Sequence, residues 1–286
     1  MKQVEREKGF TLIEVIVVMG IISLLVGIMV PMVFKVWEAQ EIETTETKLT
    51  YMKEAMTGNP LLMSNGARSS FGFVGDIGQL PPDLDALISY TNANGTFGPY
   101  LSGGLPPQSF KNDAWGYVIN YSYNLDAFGR RESAVLMSLG SDNALGGTNT
   151  AADIQITIDT NEAMPASAVS CNVIVRYITP PASTFNANLT IHIAFKNGEG
   201  VDAEQSFTTP VTITGNVGNP QSNYIFGLSS ALSQNLPVGI TRVWVDIDRD
   251  SSGNLLVPAA AGAFSYITIS DRTSTLHIDN LSISVQ

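Results

Sequence analysis

The stretch that decides the fold lies at residues 8–34 and reads KGFTLIEVIVVMGIISLLVGIMVPMVF. No residue at 15–34 is charged. An α-helix rises about 1.5 Å per residue, so about 20 apolar residues cross the roughly 30 Å hydrocarbon core of a bilayer. The stretch therefore predicts a membrane-spanning helix near the N-terminus.

Two kinds of segment have a pattern of this type: a membrane anchor and a cleaved secretory signal peptide. A signal peptide has an apolar region of about 7–15 residues, followed by a small-residue cleavage site. Here the apolar run is longer and continues into a polar helical pattern without such a site. Lys2, Arg6 and Lys8 precede the run, and positive charge favours the cytoplasmic side. We therefore predict a single-pass anchor with a cytoplasmic N-terminus.

Glu14 lies within this anchor, close to its start. A carboxylate inside an apolar span costs a few kcal/mol unless it finds a partner, so an intramembrane acid indicates function. The alternative is a side chain that reaches the nearby interface and has no further role.

The residues at 8–14, KGFTLIE, resemble the class III signal of type IV pilins and type II secretion pseudopilins. The resemblance implies that a prepilin peptidase cuts after Gly9 and that the new N-terminal residue, Phe10, is methylated. It also implies that Glu14 neutralises the N-terminal amine of a neighbouring subunit during assembly. Pro31 matches the proline that kinks the helix in this family, and its missing N–H gives a kink a physical cause.

The same resemblance implies the partners of the chain. They are other copies of itself in a filament, the prepilin peptidase, an assembly platform protein with its ATPase, and the inner membrane. Nucleic acid is not expected as a partner, because a net charge of −11 repels phosphates. No Ser-His-Asp order, zinc-ligand spacing or phosphate-binding glycine loop is present in the sequence, so we do not expect an enzyme.

The helix is predicted to continue beyond the membrane. One apolar stripe runs along its polar part, formed by Trp37, Ile42, Leu49, Met52 and Met56. The residues Thr57-Gly58-Asn59-Pro60 then provide a glycine stop followed by proline.

The middle of the chain predicts short strands with one short helix. Alternating residues at 116–124, 133–141 and 152–158 indicate strands, and 83–90 indicates a helix. A long helix packed on a small antiparallel sheet is an α+β arrangement, the pilin fold of the family named above.

A second, narrower resemblance links this middle region to the major pseudopilin of type II secretion. It rests on three motifs: DAWG at 113–116, SLGSD at 138–142 and ADI at 152–154. In that subfamily the loop that contains the last two motifs binds calcium. The resemblance implies a Ca²⁺ cofactor held by the side chains of Asp142 and Asp153 and by the carbonyl of Leu139, and oxygen donors of these kinds suit calcium. The alternative is a turn capped by its carboxylates.

The remaining residues depart from that subfamily and predict an all-β sandwich. Regularly spaced alternating runs occur at 171–179, 187–196, 205–214, 239–248, 263–270 and 275–285, and the run at 227–234 is open to a helical interpretation. Cys171 is expected to be a small buried hydrophobe. Tyr177, Tyr224, Trp244 and Tyr266 are candidates for either core packing or a ligand platform.

We therefore predict a chain in five parts. They are a leader at 1–9, a transmembrane and assembly helix at 10–57, a globular domain at 58–160, a linker at 161–170 and a β-sandwich at 171–286. The expected function is that of a structural subunit of a type II secretion pseudopilus or a related pilus. The alternative is a minor or tip subunit whose sandwich is an adhesion or ligand-binding module.

Overall fold

The computed structural model describes residues 11–89, 98–101, 110–179, 181–197, 200–215, 223–256 and 264–285. The predicted cleavage site at Gly9 and Phe10 lies outside these residues. Two units follow one another along the described chain, an α+β unit at 12–163 and a sandwich at 166–285. The α+β class predicted from sequence is confirmed.

The first element is the long helix α1, Leu12–Thr57. Thr11 caps its N-terminus, and the helix ends before Gly58, whose φ of 79° is a conformation that favours glycine. The helix ends at Thr57, the last residue of the predicted segment 10–57, and its first described residue is Leu12. The first part of α1 is long and apolar enough to cross a membrane.

Only the C-terminal third of α1 packs on the rest of the chain. Leu49, Met52 and Met56 are buried there, as the apolar stripe predicted. Trp37, assigned to the same stripe, is 57% exposed. That part of the prediction is wrong, because the folded unit begins to cover α1 only near Thr45 and so leaves Trp37 outside its core.

The α+β unit folds a three-stranded antiparallel sheet, in the order β3-β4-β5, against this part of α1. Ala134 and Leu136 on β4 share their buried core with Leu49 of α1 and Ile158 of β5. The other elements of the unit are, in chain order, β1 (Met63–Ser64), β2 (Ala67–Arg68), α2 (Gly72–Ile77), α3 (Ala86–Ser89), β3 (Asn120–Leu125), β4 (Arg131–Ser138), β5 (Ile154–Ile158) and α4 (Thr160–Ala163).

The sandwich consists of two sheets that face each other across one apolar core. Its strands are β6 (Ala166–Tyr177), β7 (Phe185–Lys196), β8 (Asp202–Ile213), β9 (Asn223–Leu236), β10 (Gly239–Ile247), β11 (Ser265–Ile269) and β12 (Thr275–Val285). One sheet has the order β11-β10-β7-β8 and is antiparallel, and the other has the order β12-β6-β9. In the second sheet β12 pairs with β6 in parallel. Cys171 on β6 is buried, as expected.

Two sequence predictions about the sandwich are wrong. The residues at 161–170 do not form a linker, because α4 ends at Ala163 and β6 begins at Ala166. The residues at 227–234 are not helical but lie in β9, where pairing with β6 overrides a weak local preference. Alanine and leucine favour a helix locally, so the pairing with β6 decides the structure of this segment.

The two units are packed directly on each other. Val238, between β9 and β10, is 1% exposed and belongs to the core of the α+β unit. Its N–H donates to the carbonyl of Ala163 at 3.1 Å. The Arg130 guanidinium donates a hydrogen bond to the carbonyl of Asn235. Arg68 forms an ion pair with Asp271, with 3.7 Å between Nη1 and Oδ1. The sandwich is therefore anchored to the unit that carries α1.

Candidate functional sites on helix α1 and the loop 138–153

The N-terminal part of α1 exposes its apolar side chains on all sides. The exposed fractions of its large apolar residues up to Trp37 range from 43% for Val33 to 78% for Leu12. A soluble monomer rarely leaves so large an apolar surface uncovered. This surface needs either lipid or other helices around it.

Glu14 lies at the N-terminal end of this surface and forms a capping box with Thr11. Its Oε2 accepts the Thr11 N–H at 2.7 Å and the Thr11 hydroxyl at 2.9 Å. The N–H of Glu14 in turn donates to Thr11 Oγ1 at 3.4 Å. In the single chain this carboxylate is therefore satisfied locally, although its side chain remains exposed.

Pro31 lies inside α1, and the helix continues through it without interruption. The ring removes one backbone hydrogen bond in the middle of the apolar part. A local weak point at this position therefore follows from the residue itself, whereas a kink stays a prediction.

The loop 138–153, which we define from the last residue of β4 to the residue before β5, contains two short 3₁₀ turns, Gly140–Asp142 and Asn149–Ala151. Gly140 is buried and has a φ of 69°. A Cβ there would lie 2.7 Å from the carbonyl oxygen of Thr150 and 2.9 Å from that of Ala152. Only glycine fits this close approach, which brings backbone oxygens of one turn against the other.

Both predicted acidic ligands, Asp142 and Asp153, lie in this loop. Asp142 Oδ1 accepts the Ala144 N–H at 3.1 Å, and Asp153 Oδ2 accepts the Gly146 N–H at 3.0 Å. The second oxygen of Asp153, Oδ1, is buried without a hydrogen-bond partner in the described part of the chain. A buried carboxylate oxygen of this kind needs a donor or a cation.

The donor set fits a calcium ion better than a transition metal. Among the described residues no group of three His, Cys, Asp or Glu side chains converges. Any ion in the loop would therefore depend on backbone carbonyls beside the two carboxylates, a combination that calcium accepts. Leu139 directly precedes the first 3₁₀ turn, so its backbone belongs to this loop.

The sandwich separates the four candidate aromatic residues into two sets. Tyr177 is fully buried and contacts Tyr224 edge-on, with 5.9 Å between ring centroids. Trp244 and Tyr266 instead lie on β10 and β11, and Tyr266 is 68% exposed. The Trp244 ring stacks on the His192 ring, with 4.9 Å between centroids, and the Arg242 guanidinium lies over the Trp244 ring at 4.8 Å. The outer face of this sheet thus carries aromatic and charged groups together.

Comparisons with known families match two parts of the chain. Residues 5–30 match the model described as the prokaryotic N-terminal methylation motif. Residues 72–157 match the model described as type II secretion system (T2SS), protein G. Neither the curated proteins nor the solved structures searched gave a match. The two matched parts contain the start of α1 with Glu14 and most of the α+β unit with the loop 138–153.

Proposed function

This chain belongs to the type IV pilin and pseudopilin family, and from that premise we propose that it is a structural subunit of a type II secretion pseudopilus. The observation that carries the proposal is the joining of the protein G domain to a helix with an uncovered apolar half. Before assembly that half lies in the inner membrane, with the folded units on the outer side. In the filament the apolar halves of neighbouring subunits cover one another.

Glu14 sets the register of this packing. Cleavage after Gly9 leaves Phe10 with a free amine, and an amine of a neighbouring subunit can replace the hydrogen bonds that Thr11 gives to Glu14 in the single chain. Inside a bundle of apolar helices the dielectric constant is low, so a carboxylate and an amine attract strongly once both are buried. Either charge alone in that environment is costly, and this disfavours any register that leaves them apart.

The test is the Glu14→Ala variant, with Glu43→Ala as the matched control on the exposed polar part of α1. Cells that carry the assembly machinery are sheared, and the filament fraction is collected by sedimentation. We expect Glu14→Ala to be cleaved and methylated normally but to be lost from the filament fraction, whereas Glu43→Ala assembles. Normal filament levels for Glu14→Ala would contradict the role given to this carboxylate.

Processing is tested on the same material by intact mass and N-terminal sequencing. A chain that begins at methylated Phe10 supports cleavage after Gly9. A chain that still begins at Met1, in cells with an active prepilin peptidase, would leave only a membrane anchor and would remove the basis for the assembly step.

We also propose that the loop 138–153 holds a calcium ion through Asp142, Asp153 and backbone carbonyls such as that of Leu139. The Asp153 Oδ1 atom, which has no hydrogen-bond partner among the described residues, supports this. A bound cation would neutralise the two carboxylates and link the ends of the loop. In the purified full-length chain, calcium is expected to raise the melting temperature above that in chelator, and Asp153→Ala should abolish the rise. Equal melting temperatures of the unaltered chain with calcium and with chelator would refute the site.

A second candidate function is display of the sandwich as a binding module by a minor subunit at the filament tip. Tyr266, which is 68% exposed, favours it together with the half-buried Trp244 on the same outer face, since aromatic residues are common in recognition surfaces. The number of copies of this chain per filament distinguishes the two candidate functions. Quantitative mass spectrometry of sheared filaments should find a major subunit as the dominant protein, and a tip subunit at a few copies per filament.

A further inference from the structure

We propose that Asp113 is a positioning residue of the loop 138–153 and that it connects this loop to helix α1. Nothing in the family resemblance assigns a role to this residue. The inference rests on the proposed calcium site, and it concerns how the protein prepares that site before an ion arrives.

Asp113 is a buried carboxylate, 3% exposed, in the turn that precedes β3. Its Oδ1 accepts the Tyr117 N–H at 2.8 Å, which closes its own turn. Its Oδ2 accepts the hydroxyl of Ser138 at 2.6 Å, at the last residue of β4. One carboxylate therefore joins two segments that are distant in sequence.

Ser138 links Asp113 to the first turn of the loop through a second hydrogen bond. It is fully buried, and its Oγ accepts the Gly140 N–H at 3.2 Å. Because Ser138 donates its single hydroxyl hydrogen to Asp113, its lone pairs are directed to Gly140. Gly140 is the residue that packs against the carbonyls of Thr150 and Ala152, next to Asp153. The chain of bonds thus leads from Asp113 to the two turns that would surround the ion.

The turn that contains Asp113 is also hydrogen-bonded to helix α1. The Ala114 N–H donates to Thr45 Oγ1 at 3.1 Å, and Lys48 Nζ donates to the Asn112 carbonyl at 3.1 Å. Thr45 is fully buried. These two bonds are partly shielded from water, and a bond left unmade in such a place is costly, so they favour one geometry. The loop is thereby held in a fixed relation to the part of α1 that leaves the membrane.

Two variants of the full-length chain in detergent test the proposal. Ser138→Ala removes the hydroxyl and leaves Asp113 in place, and Asp113→Asn keeps the size but presents an amide N–H to Ser138. The control is Asp126→Asn. Asp126 is a shielded carboxylate in the hairpin between β3 and β4, bonded to the Arg130 N–H at 2.8 Å and to Arg130 Nε at 2.9 Å. It lies at the opposite end of β4 from the loop.

The readouts are the calcium dissociation constant by calorimetry and the exchange rate of the Gly140 amide in chelator. We expect both variants to weaken calcium binding about tenfold and to speed Gly140 exchange, since each loses a bond that prepares the loop. Asp126→Asn should lower the melting temperature equally with and without calcium and leave both readouts unchanged.

Calcium binding by Ser138→Ala and Asp113→Asn at the affinity of the unaltered chain would overturn the proposal. So would an unchanged Gly140 exchange rate in both. If the unaltered chain itself binds no calcium, the ion site is refuted and the positioning role falls with it. The measurement on the unaltered chain therefore separates failure of the site from failure of the connection.

Discussion

Two carboxylates show how the environment of a single residue sets its contribution to stability. Burial raises the pKa of Asp76 above its usual value, more than the hydrogen bond from Tyr100 and the charge of Lys196 lower it. Hydrogen bonds do the opposite for Asp250. The Asn254 N–H, at 2.9 Å, is the main cause that lowers the pKa of Asp250, with further bonds from the same turn. The two groups should respond to pH in opposite directions.

For Asp76 the folded chain binds the proton more tightly than the unfolded chain does. Its contribution to stability is therefore lost as the pH rises from the ordinary aspartate value to the raised value. Asp76→Asn removes the buried charge and keeps an acceptor for the Tyr100 hydroxyl, which donates at 2.9 Å. We expect this variant to melt at a higher temperature than the unaltered chain at pH 7, with a difference that shrinks below pH 4.

Asp250→Asn is the matched comparison, and its expected change in melting temperature at pH 7 has the opposite sign. The folded chain favours ionised Asp250, so its contribution is present at neutral pH and is lost as the pH falls through the lowered value. This variant should melt at a lower temperature at pH 7 and approach the unaltered chain in acid. Thermal melts between pH 3 and pH 7 check both, and shifts of the same sign at pH 7 would contradict the assignment.

At the scale of elements, the two parts of α1 differ in what surrounds them. Its apolar half has no partner within the described chain, whereas Leu49, Met52 and Met56 pack against the sheet β3-β4-β5. Leu136 on β4 is fully buried in this contact, while Met137 points to the other face of the same strand. The contact keeps the α+β unit attached to α1.

Leu136→Ala should therefore cost about 2–5 kcal/mol of unfolding free energy, because it removes apolar contacts and leaves a cavity. Met137→Ala is the control, with a similar loss of side-chain volume on the half-buried face, and it should cost less than half as much. Denaturant unfolding of the full-length chain measures both. Equal costs would show that β4 does not pack its two faces as described.

At the scale of the whole molecule, the sandwich is held by a residue that completes the core of the other unit. Val238 is 1% exposed there, although the chain on either side of it belongs to β9 and β10. Both units should therefore unfold in one transition. A sandwich fixed in this way would project from the filament in one orientation.

Val238→Asp places a carboxylate in an apolar contact, which costs several kcal/mol unless the units separate. Calorimetry of this variant should show two transitions, with the earlier one due to the α+β unit. Ile240→Asp, at a position that is 63% exposed on β10, is the control and should keep one transition. Two transitions in the unaltered chain would show that the units are independent.

The sequence by itself determined the features whose signal is local. The apolar run and Gly58 indicated a long helix that ends at Thr57, as α1 does, because helix length, hydropathy and capping depend on neighbours along the chain. Alternation located most strands of both units for the same reason, but it missed β9. The motif at 8–14 and the loop motifs also indicated the family, the acid at Glu14 and the two carboxylates of the loop, while the role of those carboxylates stays a proposal.

Only the tertiary structure decided which distant residues meet. It paired β12 with β6 in parallel, extended β9 through a serine-rich segment and joined β6 to α4 without a linker. It also placed Val238 in the other unit's core and Asp113 on Ser138. Such contacts depend on how whole elements pack and are not encoded by spacing along the chain, so local patterns can name the residues but cannot bring them together.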